Sequence, residues 1–143
     1  PVGSIAPIAL IVWQNIRVLI LSLVLGTLTF GVLGMVPLIA STAAAGYLYA
    51  LLTYNGFAVS DFLAMIVPHA VIEIPAAVIA VAAVFRGGAM LITPNTEKTV
   101  GQISIETLAD WLKLFTGVVI PMLIIAGIIE AWITPRIAAL VLQ

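Results

Sequence analysis

The stretch FLAMIVPHAVIEIPAAVIAVAAVF, residues 62–85, decides the fold class of this chain. A helix needs about 20 apolar residues to cross the hydrocarbon core of a bilayer, and this stretch is long enough to do so. Its only ionisable side chains are His69 and Glu73. The stretch therefore predicts a membrane-spanning helix that carries two polar groups.

The composition of the whole chain agrees with a membrane protein. Of its 143 residues, 64% are hydrophobic and 8% are charged, whereas an average soluble domain is about 45–50% apolar and about 25% charged. So little charge cannot keep a monomer in solution. The net charge of −1 offers no basic patch, which excludes nucleic-acid binding. The absence of cysteine excludes disulfides, thiolate metal sites and cysteine nucleophiles.

Three further segments are apolar enough to be spans, at approximately residues 18–39, 40–54 and 114–133. The segment 40–54 is short and rich in small residues, so it is either a short span or a re-entrant piece. We expect residues 1–143 to form a single membrane domain. Because the first residue is Pro1 rather than Met, we also expect this domain to belong to a longer chain.

The stretch at approximately 104–113 precedes the last span and has apolar residues near helical spacing, with Glu106 and Asp110 between them. Ser104 is a suitable N-cap. This pattern predicts an amphipathic helix in the headgroup region, and a solvated loop is the alternative. The predicted fold is therefore all-α: a polytopic transmembrane helix bundle of about four spans plus one interfacial helix.

Two prolines, Pro68 and Pro75, interrupt the span at 62–85. Proline removes a backbone donor and disfavours a helical conformation at the preceding residue. We therefore expect this span to be kinked or broken, with a helix that begins near Pro68.

The polar residues of the spans are the candidate site. His69 and Glu73 are four residues apart, so they share one face of a helix. A charge at mid-bilayer costs about 2.5–3.5 kcal/mol on insertion scales. Glu130 lies about one turn before Trp132 and Arg136, which places it nearer the interface. Spacing alone does not decide whether Glu130 approaches the other two.

This intramembrane polar site has three interpretations. His69 and Glu73 form a clasp that holds helices together, or they lie on a path for protons or ions, or they bind a metal. The spacing His-x-x-x-Glu matches neither the His-Glu-x-x-His of zinc peptidases nor the Glu-x-x-His of di-iron bundles. We therefore predict no metal or other cofactor, and no motif for a catalytic nucleophile points to an enzyme.

Small residues recur at helical spacing in the first predicted span and in the short second one. The set in the first span is Ser22, Gly26, Thr27, Gly31 and Gly34, and the second span repeats the spacing as Thr42 and Gly46. Small residues four apart let helix backbones approach closely in lipid. We expect these two spans to pack as a pair or to form an oligomer interface.

Three stretches of the chain resemble the stage II sporulation protein M family of integral membrane proteins. They are the glycine-spaced run that begins at Gln14–Val18, the sequence PHAVIEIPA at 68–76, and the sequence AGIIEAWITP at 126–135. The second resembles the family signature Pro-His-Gly-x-x-Glu-Leu-Pro-Ala, from which it departs at Ala70. The third is similar to the family ending Ala-Gly-x-Ile-Glu-x-Phe-x-Thr-Pro.

The resemblance implies that His69, Glu73 and Glu130 matter, and it implies a scaffold role. In spore formers the family's namesake holds two partner proteins that remodel peptidoglycan. We therefore expect a non-enzymatic scaffold or complex subunit in a prokaryotic plasma membrane. Its contact surfaces would be the connection 86–113 and the small-residue faces. The expected partners are the lipid bilayer and other membrane proteins, with a homo-oligomer also open. The alternative function is transport of protons, ions or a small solute through the His/Glu site.

Overall fold

The computed structural model describes residues 5–93 and 97–141. These residues form helices and contain no strand, which confirms the predicted all-α class. Four helices are long and apolar enough to cross a membrane: Pro7–Leu28, Val32–Tyr54, Val59–Ile92 and Val100–Ile137. The expected number of spans is therefore present, although their bounds differ from those predicted.

The first helix, α1 (Ile5–Leu28), begins well before residue 18 and ends before residue 39. Its end is a left-handed turn in which Phe30 has a φ of 53° and Gly31 a φ of 96°. The Gly31 N–H donates to the Gly26 carbonyl over 2.6 Å, the 6→1 bond of a Schellman motif. Because the turn is built from apolar and small residues, the apolar run at 18–39 conceals it.

The second helix, α2 (Val36–Tyr54), follows a short 3₁₀ helix at Val32–Met35. Together they make a candidate span of 23 residues. The segment 40–54 is therefore the greater part of a helix long enough to cross the membrane, because the residues before it extend the short apolar stretch. Pro37 stands in the first turn of α2, where its missing N–H costs no hydrogen bond.

The third helix, α3 (Val59–Ile92), runs for 34 residues with both Pro68 and Pro75 inside it. The predicted break is wrong: the helix is continuous, and it begins at Val59 rather than near Pro68. Neighbouring helices compensate the freed backbone groups in a bundle. At a rise of 1.5 Å per residue, α3 is about 51 Å long, which exceeds the ~30 Å hydrocarbon core.

The fourth helical run comprises α4 (Val100–Leu114), α5 (Ile120–Ile128) and α6 (Thr134–Val141), joined by π-helical segments at Phe115–Val119 and Ile129–Ile133. The predicted interfacial helix is part of α4 and continues without interruption into the last span, so it is not a separate element. Its N-cap is Thr99 rather than Ser104, in a capping box with Gln102. Because α3 runs to Ile92 and α4 begins at Val100, most of the predicted connection 86–113 lies in these two helices.

The core lies where α1 and the fourth run pack against α3. Trp111 is 4% exposed, stacks on Phe115 with ring centroids 4.3 Å apart, and donates from Nε1 to the Ala80 carbonyl over 3.3 Å. The other core residues are apolar side chains from these three elements: Leu19, Ala76, Ala77, Ala80, Val81, Val84, Val119 and Leu123.

The small residues of α1 meet both the start of the second span and α3. A Cβ added at Gly26 would lie 2.0 Å from Val84 Cγ1, and one at Gly34 would lie 2.9 Å from the same atom. Ser22 is buried and donates to the Gly34 carbonyl, while Gly31 packs against Phe85. Thr27 is exposed and bonds only to Val24 in its own helix. The close approach expected between the first two spans is present where α1 meets the start of the second, and Val84 of α3 packs against the same glycines.

Candidate functional site

Three polar side chains from two distant parts of the sequence meet inside the bundle. His69 and Glu73 lie on one face of α3, and Glu130 lies on the π-helical segment Ile129–Ile133. One nitrogen or oxygen atom from each of the three lies within 4.8 Å of the corresponding atoms of the other two. π-Helical turns inside α-helices are frequent at functional sites. The structure thus answers what spacing left open, because Glu130 does approach His69 and Glu73.

The first helix supplies two further polar residues to the same place. A cavity of about 380 Å³ is lined by Gln14 and Asn15 together with His69, Glu73 and Glu130, and by two apolar residues of α1. Asn15 therefore places a side-chain amide beside Glu73 in this cavity. Spacing along the sequence does not predict this contribution, and its only signal is a pair of amide residues inside an otherwise apolar run.

A close contact between α1 and the fourth run determines where along these two helices the polar residues meet. A Cβ added at Gly127 would lie 2.9 Å from Val12 Cγ2, so only glycine allows the two helices to meet here. Val12 is one turn from Asn15, and Gly127 is one turn from Glu130. The contact therefore brings the amide of α1 to the carboxylates.

The site is rich in negative charge and poor in positive charge. Glu73 interacts electrostatically with both His69 and Glu130, and all three side chains are half-buried. Among residues 5–93 and 97–141, neither glutamate forms an ion pair with lysine or arginine. His69 Nδ1 is buried without a hydrogen-bond partner. A buried polar atom that lacks a partner calls for an explanation such as a water or an ion.

The two prolines flank this polar cluster on α3. Pro68 is half-buried next to His69, and Pro75 is exposed two residues after Glu73. A proline in a helix interior leaves a carbonyl of the preceding turn without its N–H donor. Glu73 lies about 21 Å from the start of α3 and about 28 Å from its end. The cluster is therefore well inside the long third span.

Comparison with known proteins identifies the family. The model of the family described as Stage II sporulation protein M matches residues 4–135. The chain belongs to this family. The match covers three spans completely, the fourth up to residue 135, and all three residues of the polar cluster, so the resemblance predicted from the three sequence stretches is confirmed.

The chain is also similar to a protein from an archaeon. An uncharacterized protein from Methanocaldococcus jannaschii is 30% identical to this chain over 132 residues, which are 92% of this chain and 73% of the relative. No solved structure matches the chain. The chain is a membrane protein of the stage II sporulation protein M family with four candidate spans.

Proposed function

We propose that this protein is a non-enzymatic membrane scaffold, a complex subunit that binds a transmembrane helix of a partner protein through α2. The observation that carries the proposal is the exposure of α2 around its whole circumference. Every residue from 39 to 51 is exposed, and a Cβ added at Gly46 would meet no heavy atom within 4 Å. Tyr49 meets Phe62 of α3 edge-on near the end of this range, with ring centroids 4.9 Å apart, but the residues before it leave most of the helix surface open to a partner.

The composition of α2 favours a protein partner over lipid alone. Residues 41–46 are Ser-Thr-Ala-Ala-Ala-Gly, and the span has the lowest mean hydropathy of the four, at 1.6. Small residues allow the close backbone contacts that drive helix association in lipid, where no hydrophobic force acts between helices. The scaffold role that the family resemblance implies fits a prokaryotic plasma membrane, and a second copy of the chain is the alternative occupant.

A matched pair of glycine variants tests this role. Gly46 and Gly117 both lie in candidate spans, and neither has a heavy atom within 4 Å of an added Cβ. A photo-cross-linking amino acid replaces Tyr47, which is 71% exposed, or Ile125 on the fourth run, which is 49% exposed. In the native membrane we expect the label at position 47, and not at 125, to capture one discrete membrane protein.

The same labelled chain then carries Gly46→Leu or Gly117→Leu. We expect Gly46→Leu to abolish the cross-link, because the leucine keeps the partner helix at a distance, and Gly117→Leu to leave it intact. Cross-links to lipid alone would contradict the scaffold proposal. Cross-links only to another copy of this chain would replace it with a homo-oligomer.

Transport remains a second candidate function, because the cavity beside the polar cluster has polar walls. Membrane transporters build their substrate sites from polar groups near the bilayer midplane. For this candidate we expect purified protein in liposomes to conduct protons or cations, and Glu73→Gln to abolish the flux while the protein still folds. The absence of flux from a correctly folded wild-type protein would exclude the transport function.

A further inference from the structure

We propose that His69, Glu73 and Glu130 bind a divalent transition-metal cation of the Zn²⁺ type, which ties α3 to the fourth helical run. The inference is independent of the scaffold proposal, since neither the exposed face of α2 nor its partner takes part in it. The spacing on α3 alone predicts no metal site. The third donor comes from Glu130, which only the fold brings to the other two.

The donors are near enough to share one ion. Their ligand atoms lie within 4.8 Å of one another, and a tetrahedral ion with bonds of about 2.0–2.1 Å holds its ligand atoms about 3.3 Å apart. Closure of the site therefore requires movements of at most ~1.5 Å. Rotations of the half-buried glutamate side chains supply movements of this size.

The charge of the cluster favours a bound cation. Two carboxylates a few ångströms apart inside a bundle repel each other strongly, and both remain ionised only if a positive charge lies between them. Lysine and arginine side chains do not provide that charge within the described part of the chain. The Asn15 amide in the same cavity is uncharged and does not neutralise Glu73. A divalent ion would balance both carboxylates at once.

The state of His69 favours metal binding over neutralisation of the carboxylates by protons. Its Nδ1 atom is buried and has no hydrogen-bond partner among the described residues, so no hydrogen bond competes with a metal for this nitrogen. Imidazole with carboxylates is a donor set for Zn²⁺ and its first-row neighbours, whereas Mg²⁺ and Ca²⁺ prefer oxygen ligands only. The site therefore selects against the two most abundant divalent cations.

The surroundings complete such a site. With three protein ligands, the fourth coordination position of a tetrahedral zinc ion is open to a water molecule. The adjoining cavity of about 380 Å³ has room for that water. Asn15 lines the same cavity beside Glu73, and polar neighbours of metal ligands commonly change metal affinity about 10–100-fold. Asn15 is therefore a positioning residue for the ion.

The test uses the full chain, purified in detergent, stripped with a chelator and titrated with Zn²⁺, with bound metal measured by mass spectrometry and calorimetry. We expect one Zn²⁺ per chain, an affinity at least tenfold lower in Glu130→Gln and in His69→Gln, and a weaker loss in Asn15→Ala. Asp110→Asn, which alters an exposed carboxylate, is the control and should bind as the wild type does. Mg²⁺ and Ca²⁺ should not compete.

A measurement on the unaltered protein avoids variants that fail to fold. Co²⁺ in place of Zn²⁺ should give the visible absorption of a low-coordinate site, and added Zn²⁺ should abolish it. No Zn²⁺ bound by the wild type, or binding that all the folded variants retain, would overturn the proposal. The first result would leave protonation as the way in which the carboxylates are neutralised, and the second would indicate adventitious surface binding.

Discussion

Gly88 of α3 lies directly against the main chain of Phe30, in the turn that ends α1. A Cβ added at Gly88 would be 2.1 Å from the Phe30 carbonyl oxygen and 2.5 Å from the Gly31 nitrogen. Because both atoms belong to the backbone, the turn would have to move to admit a methyl group. This contact fixes the position along α3 at which the first two spans pack against it.

Gly88→Ala should therefore destabilise the protein even though alanine is the better helix former. We expect a loss of about 1–3 kcal/mol, the usual cost of overpacking a core, measured as a lower thermal midpoint in detergent. Gly101→Ala is the control, because a Cβ there meets nothing within 4 Å, and it should leave the midpoint unchanged or raise it. Equal effects of the two substitutions would contradict this packing.

Ser22 links the end of α1 to the start of the second span. Its side chain is 1% exposed and donates to the Gly34 carbonyl. Ser22→Ala leaves that carbonyl without this donor, and we expect a loss of about 1 kcal/mol in the free energy of unfolding. Thr27→Ala removes a bond within one exposed helix and should cost less. The reverse order would show that the two spans are held together in some other way.

Trp111 holds the fourth run against α3. Trp111→Phe loses the hydrogen bond to Ala80 and part of the stacked ring surface, and we expect it to cost about 1–3 kcal/mol. Trp132→Phe is the matched control, because Trp132 is 40% exposed, and it should change the thermal midpoint little. A Trp111→Phe variant as stable as the wild type would mean that α4 does not pack against α3 through this side chain.

Pro75 stands on the exposed side of a continuous helix. Alanine there restores an N–H that the Val71 carbonyl can accept, so Pro75→Ala should raise the stability, by up to about 3 kcal/mol on helix propensity. Circular dichroism should show unchanged helix content. A lower thermal midpoint would indicate that the missing hydrogen bond serves a local geometry that the protein needs.

The number of spans follows from the sequence because hydropathy and length are local properties. The bounds do not, because the turn at Phe30–Gly31 uses apolar residues and places a phenylalanine where a helix end usually has glycine. Gly88 shows the same limit, since its role depends on a contact with residues far along the chain. The sequence around Gly88 does not distinguish a glycine that packs against a distant turn from a glycine in a loop.

The candidate site was only half predictable for the same reason. His69 and Glu73 share a helix face by spacing alone, but Glu130 and Asn15 reach them through the packing of three helices. Two buried glycines, Gly26 and Gly127, set those approaches. Which helices become neighbours is a property of the whole bundle, so a single sequence does not reveal it.

The convergence of α3 and the fourth run at the polar cluster is the central claim, and a cross-link in the native membrane tests it most directly. The chain has no cysteine, so Glu73→Cys with Glu130→Cys gives one thiol pair, to be joined by a short bifunctional thiol reagent. We expect an intramolecular cross-link in most of the chains, and none when the second cysteine replaces Ile125 instead. An unlinked 73/130 pair, with both thiols shown to be reactive, would contradict the site.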